Sequence, residues 1–265
     1  MEKPNTYPFQ VANVAAVVLA LAMNFLIDLV PVNGVNTAQV ADSYPNLFTP
    51  PGYIFAIWGI IYTLAVVFAI YQIRPRERSA PYLGAIGWLY LVSAFINTVW
   101  LIVFHYSYGV PSLYLVSTML LLLLLLDLLM IYKRLDVGGA IVPRGMKLGV
   151  HIPFSIYIGW ISVASIAGIA SAINALSPGI SLETQAIVTA AMLFVALALT
   201  SVMLWLRRDI VFSLVVLWAV SGISSKQAGI PMIYYSTLVV MGLAVVGVLV
   251  IPFLRKMPWV SYYLS

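Results

Sequence analysis

The chain contains no cysteine, which excludes disulfides, thiolate-bound metals and a cysteine nucleophile. Charge is nearly as scarce. Only 8% of the 265 residues are Asp, Glu, Lys or Arg, against roughly 25% in a soluble domain. The two histidines, His105 and His151, are too few for a His-rich metal cluster. No nucleophile–base pair, phosphate-binding glycine loop or H-x-x-x-H spacing is present, so the sequence does not read as a hydrolase. What is abundant is apolar: 63% of residues are hydrophobic and the mean hydropathy is +1.05. Such a chain cannot cover itself for water, and reads as an all-α, polytopic membrane helix bundle whose first partner is the lipid bilayer. The net charge of +5 does not point to nucleic acid, because the basic residues lie in short clusters between apolar runs.

Each crossing needs about 20 apolar residues. Eight runs are expected to span: 8–30, 51–73, 82–104, 111–133, 147–171, 185–206, 209–225 and 232–254. The fourth, with an unbroken Leu120 to Leu126, is the plainest; the seventh is short and serine-rich near its end. The first is too long for a signal-peptide core and is read as a retained helix. Arg74, Arg76 and Arg78 follow span two, Lys133, Arg134, Arg144 and Lys147 bracket the turn after span four, Arg207 and Arg208 follow span six, and Arg255 and Lys256 follow span eight. With Lys3, that puts twelve of the thirteen basic residues on one side and Lys226 alone on the other. By the positive-inside rule both termini face the cytoplasm.

Three constellations stand out. Between Tyr44 and Tyr62 a polar loop enters an apolar helix through Thr49-Pro50-Pro51-Gly52, with Thr49 expected as N-cap. Tyr53 follows at once, and Phe55, Trp58 and Tyr62 then fall at i, i+3 and i+7 on one helical face. This reads as the lip of a ligand site, or more plainly as an interfacial aromatic belt. The loop before it, 32–50, carries no Lys or Arg and holds Asn33-Gly34 and Pro45-Asn46 turns, which predict a folded lid over an ordinary connector. In span three, Tyr90, Ser93, Asn97, Trp100 and Phe104 share a face. Asn97 lies well inside the bilayer and must face protein or a cavity, gluing two helices or binding a ligand. In span five, Pro153, Tyr157, Trp160, Ala164 and Gly168 form a stripe that is bulky at one end and small at the other. Pro153 should kink that helix. The pairs Ser155/Gly159 and Ala164/Gly168 permit close helix approach.

Two carboxylates fall in spans. Asp28 lies about one turn from the outer end of span one, where capping or lid anchoring is the expected role. Asp127 is deeper, one to two turns from Lys133 and Arg134, and reads as a transport-type polar site or as a group that reaches a nearby cation.

Together these constellations resemble the TspO/MBR family, the tryptophan-rich sensory proteins related to the mitochondrial translocator protein. The family's second helix opens Pro-Pro-Gly-Trp and runs through Phe to Trp and Tyr; here stand Pro50-Pro51-Gly52-Tyr53, Phe55, Trp58 and Tyr62. Its third carries Asn-x-x-Trp before Phe-Phe; here Asn97, Trp100, Phe104 and His105. Its fifth carries Pro-Tyr-x-x-Trp; here Pro153-Phe154-Ser155-Ile156-Tyr157. Tyrosines thus replace two pocket tryptophans, at Tyr53 and Tyr157, and the Phe55-to-Trp58 interval is one residue short.

The resemblance implies a five-helix core over 1–175, capped by the loop 32–50, with an additional three-helix region over 176–265 that shares no motif with it. It also implies a pocket for a planar hydrophobic ligand, such as protoporphyrin IX, haem or a sterol, with no cofactor required. The lining expected from it is Tyr53, Phe55, Trp58, Tyr62, Asn97, Trp100 and Tyr157, to which the stripe adds Trp160. Family members commonly form homodimers. Enzymatic porphyrin degradation is disfavoured by the loss of two indoles. The alternative is a secondary transporter of a small amphipathic solute. Asp28, Asp127 and an interrupted helix at Ser221–Ser225 would support it, although no inverted repeat is evident.

Overall fold

The computed structural model describes residues 6–30, 32–177 and 179–254. Lys3, Arg255 and Lys256 lie outside the described residues, as does the side chain of Asp28. Among the described residues every regular element is helical, as expected where lipid offers the backbone no hydrogen-bond partner. The long helices are α1 (Tyr7–Leu29), α3 (Ile57–Gln72), α5 (Leu89–Tyr106), α6 (Pro111–Arg134), α8 (Ile152–Leu176), α9 (Leu182–Arg207), α10 (Ile210–Lys226) and α11 (Pro231–Leu254). Short α2 (Thr37–Asp42), α4 (Pro81–Ile86) and α7 (Arg144–Met146) lie between them. Among the described residues seven helical stretches are long and apolar enough to cross a membrane, and α10, at 17 residues, is a shorter apolar helix.

Four expectations are corrected. Span three is two helices, because Gly87 at φ 56° ends α4 in a conformation costly for a residue with a Cβ. Span five begins at Arg144, and Lys147–His151 form a π-helical turn in which the Ile152 N–H reaches back five residues to the Lys147 carbonyl. Pro153 has no N–H for the Gly149 carbonyl, so the predicted irregularity is taken up by this wider turn. Thr49 does not cap the second span. A 3-10 turn, Gly52–Ala56, leads into α3 without a side-chain cap, and Thr49 instead accepts a hydrogen bond from Asn46 Nδ2 at 2.7 Å. The segment Ser221–Ser225 is not interrupted: Ser221 and Ser225 donate to the Trp218 and Gly222 carbonyls of a continuous α10.

α1, α5, α6, α8 and α3 pack in that order around a ring, and α3 closes it against α1. Gln10 and Gln72 exchange side-chain to backbone hydrogen bonds, and Asn13 donates to Gln72 Oε1, pinning the N-terminal part of α1 to the C-terminal end of α3. Outside the ring, α10 lies on α8, with α9 and α11 behind it. The small pair Ser155/Gly159 serves this joint. A Cβ on Gly159 would come within 3.1 Å of the Val215 Cβ, so that face is occupied by α10. At one end of α10, Asp209 accepts hydrogen bonds from Tyr132 and Ser155. Nearby, Arg207 pairs with Asp136, and Gly138 (φ 77°) sits against the Arg207 carbonyl with no room for a methyl. At the other end, Trp218 Nε1 donates to the Ile54 carbonyl at 3.0 Å and Gln227 to the Leu47 carbonyl at 3.2 Å. Short α10 therefore bridges the same two ends as the longer helices.

Candidate functional site: an aromatic cavity under a folded lid

The loop 32–50 is a built structure. Asn36 and Gln39 form a capping box that starts α2. Asn46 is its hub. Its Oδ1 accepts from the Phe48 and Thr49 N–H groups at 2.9 and 2.8 Å, and its Nδ2 donates to Thr49 Oγ1 and to Ser171 Oγ of α8 at 2.6 Å. Phe48 and Val40 are fully buried. The Tyr44 hydroxyl donates to the Ser107 carbonyl at 3.0 Å, and burial raises its pKa, so it stays a donor. His105 ties the lid to α5. Its Nδ1 faces the Leu101 carbonyl at 2.8 Å and must carry the proton, which leaves Nε2 to accept from Thr37 Oγ1 at 3.4 Å. Asn46→Ala removes five hydrogen bonds from a buried turn and is expected to destabilise the protein by about 2–3 kcal/mol. A thermal melt in detergent measures it, with Asn46→Asp, which keeps the two backbone acceptor bonds, losing less.

Under the lid lie three adjoining cavities that share Trp58. The outer one, about 360 Å³, lies between α1, α2, α3 and α5, against Asn24, Thr37, Phe55, Trp58, Tyr62 and Trp100. A second, about 80 Å³, extends toward α6 and α8 between Trp58, Trp100, Phe104, Tyr114, Trp160 and Gly168. The third, about 40 Å³, is an inner chamber bounded by Asn24, Trp58, Tyr62, Tyr90, Asn97 and Tyr157. The outer volume is within the range of small-molecule sites.

The aromatic stripe of the second span is real. Trp58 stacks on Tyr62 (centroids 5.5 Å apart, 25° between planes) and meets Tyr157 and Trp160 edge-on at 6.4 and 6.3 Å. Phe55 meets Trp160 at 5.6 Å, and Trp100 stacks on Phe104 at 5.3 Å. Of the residues expected at the site, Phe55, Trp58, Tyr62, Asn97, Trp100, Tyr157 and Trp160 line these cavities. Tyr53 lines none of them. It is 56% exposed, its hydroxyl is 3.1 Å from Ser225 Oγ and its ring edge meets Trp218. The 3-10 turn in which it sits directs it to the appended helix α10 and away from the ring.

Asp127 is buried at 3% exposure with Oδ2 unpartnered, and it too lines none of the three cavities. No group of three His, Asp or Glu suited to a metal exists among the described residues. Sequence reasoning missed Asn24, the part Asn46 plays beyond its turn in holding the lid to α8, and the small polar wall of Ser117, Thr118 and Ser171. Asn24 carried a readable signal, as an amide inside an apolar run. The others became visible only once α6, α8 and the lid were brought together.

No curated protein and no solved structure matches the chain. A family model described as TSPO-like protein matches residues 10–250, so the match does not stop near residue 175 but continues through α9, α10 and most of α11. With an all-helical bundle, a capped aromatic cavity and a family match over most of its length, this chain belongs to the TSPO-like protein family.

Proposed function

We propose that this membrane protein binds a planar hydrophobic ligand, of porphyrin- or sterol-like shape, beneath the lid formed by residues 32–50. The observation that carries the reading is the convergence of three indoles, Trp58, Trp100 and Trp160, on adjoining cavities that no Lys, Arg, His, Asp or Glu lines among the described residues. Flat apolar molecules stack on such rings, and a few fixed polar groups set their orientation. The role is sensory, regulatory or translocating, with the lid on the outer face and the basic ends of the helices in the cytoplasm.

Protoporphyrin IX added to the detergent-purified protein is expected to quench tryptophan fluorescence saturably. The Trp100→Ala/Tyr157→Ala variant should bind at least tenfold more weakly, for roughly 1.4 kcal/mol of lost ring contact. Identical or non-saturable quenching in both proteins would remove the reading. The transporter alternative keeps one observation in its favour, the unpartnered buried carboxylate of Asp127. Asp127→Asn leaves quenching unchanged on the binding reading. Loss of solute accumulation in vesicles with quenching intact would move the assignment to transport.

A further inference from the structure

A second polar site lies at the far end of the bundle from the lid, where the π-helical turn before α8 meets the α9–α10 turn. A small cavity there, about 20 Å³, is lined by Lys147, His151, Ser155, Arg208 and Asp209. None of these residues lines the aromatic cavities. Ser155 and Ser171, which holds the lid, both stand on α8 and are roughly 24 Å apart along its axis. The volume admits one water-sized group, such as a single phosphate oxygen.

Two cationic side chains and one carboxylate line the cavity. The Asp209 carboxylate is already engaged by Ser155, Tyr132 and the Phe212 N–H, so the balance there is positive. Lys147 and His151, four apart in the π-helical turn, are 5% and 2% exposed. Neither ring nitrogen of His151 has a hydrogen-bond partner, and a histidine in any protonation state carries at least one N–H. Arg208 closes α9 at φ 56°, a left-handed position that Gly or Asn takes with less strain. A buried cation and a buried donor without an acceptor are both relieved by an anion.

The rim selects among anions. The half-exposed members of the lining are Ile152, Arg208 and Val211, so the cavity opens beside apolar side chains of α8 and α10. It does so at the end of the bundle where Lys and Arg gather, which the positive-inside rule puts at the inner leaflet. A lipid headgroup at that depth brings phosphate to the cations while its chains cover Ile152 and Val211; inorganic phosphate covers neither. A choline headgroup would add a further positive charge beside the two cations. We propose that this cavity receives a phosphate oxygen of an anionic phospholipid, with Lys147 and Arg208 as the binding cations and His151 as a hydrogen-bond donor.

The test is a thermal melt of the full chain in dodecyl maltoside, titrated with phosphatidylglycerol, phosphatidylcholine or inorganic phosphate, each protein read against its own lipid-free baseline. Phosphatidylglycerol is expected to raise Tm saturably, with an apparent affinity about tenfold above that of phosphatidylcholine, and inorganic phosphate to leave Tm unchanged. Three variants should each cut that preference at least about threefold. They are Arg208→Asn, which suits the left-handed backbone, Lys147→Met, which keeps most of the buried volume, and His151→Phe. Lys133→Gln and Arg144→Gln, which remove exposed cations outside the cavity, should leave it intact. The proposal falls if wild type shows no preference, or if any of the three cavity variants keeps it whole. It falls also if Lys133→Gln and Arg144→Gln weaken the preference as much, since the attraction is then diffuse. A rise with inorganic phosphate equal to that with the lipid would overturn the lipid in favour of a free anion. The aromatic cavities take no part in this assay, so failure here leaves the reading of that site standing.

Discussion

Asp209→Ala is expected to be among the most destabilising single substitutions in the chain. Asp209 sits at the turn between α9 and α10, 4% exposed, and three hydrogen-bond donors converge on its carboxylate. Ser155 Oγ lies 2.6 Å from both oxygens, the Tyr132 hydroxyl donates to Oδ2 at 2.7 Å, and the Phe212 N–H donates to Oδ1 at 3.0 Å as an N-cap bond. Ser155 is on α8 and Tyr132 on α6, so one side chain starts α10 and fastens it to two helices of the ring. Loss of the cap costs about 1 kcal/mol, and the bonds to a charged acceptor add roughly 1.5–3 kcal/mol. Removing the carboxylate also relieves the cost of burying it. The net expectation is about 3 kcal/mol, or a fall of roughly 10 °C in the melting temperature.

Asp209→Asn should lose less, because its one amide oxygen still accepts from the Phe212 N–H or Ser155 while its nitrogen cannot accept from Tyr132. A melt of Asp209→Ala within 2 °C of wild type would show that α10 is held by its apolar face alone. The ligand cavities do not include Asp209, so quenching by a bound ligand at low temperature should survive the substitution. That separates the joint from the site.

Trp58→Ala is expected to have the largest effect on binding. Trp58 borders all three cavities and touches Tyr62, Tyr157 and Trp160. Truncation removes the shared wall, merges the chambers and deprives three neighbouring rings of their common contact. Central aromatic anchors of this type are worth about 2–4 kcal/mol to a bound partner, so the dissociation constant should rise by at least about thirtyfold. Because the ring faces a cavity, the loss of stability should be smaller than for a closed core site. Trp218→Phe, which alters an indole hydrogen-bonded to the Ile54 carbonyl outside the cavities, provides the comparison, with binding expected within threefold of wild type. Equal weakening by the two substitutions would place the ligand elsewhere.

The sequence by itself determined that this is a helical membrane protein. Scarce charge and 63% hydrophobic residues leave the backbone no alternative to internal hydrogen bonding. Helical periodicity was enough to put Phe55, Trp58 and Tyr62 on one face, and Tyr90, Ser93, Asn97, Trp100 and Phe104 on another, since side chains three and four apart in a helix must share a side. The turn residues of 32–50 were enough to predict a folded lid. Sequence periodicity says nothing about which helices adjoin, and there the tertiary structure decided. The ring order that brings Trp58 to Trp160, the docking of α10 on Ser155 and Gly159, and the convergence of Tyr132 and Ser155 on Asp209 all join residues distant in the chain. Local backbone departures decided the rest. A 3-10 turn carried Tyr53 away from the cavity, and Gly87 broke a run that hydropathy reads as continuous, because hydropathy measures transfer to lipid and not the φ value a position adopts. The Asn97 amide shows both levels. Its burial followed from its place in an apolar run, but its partner, Asn24 of α1, was settled only by the packing of α1 against α5.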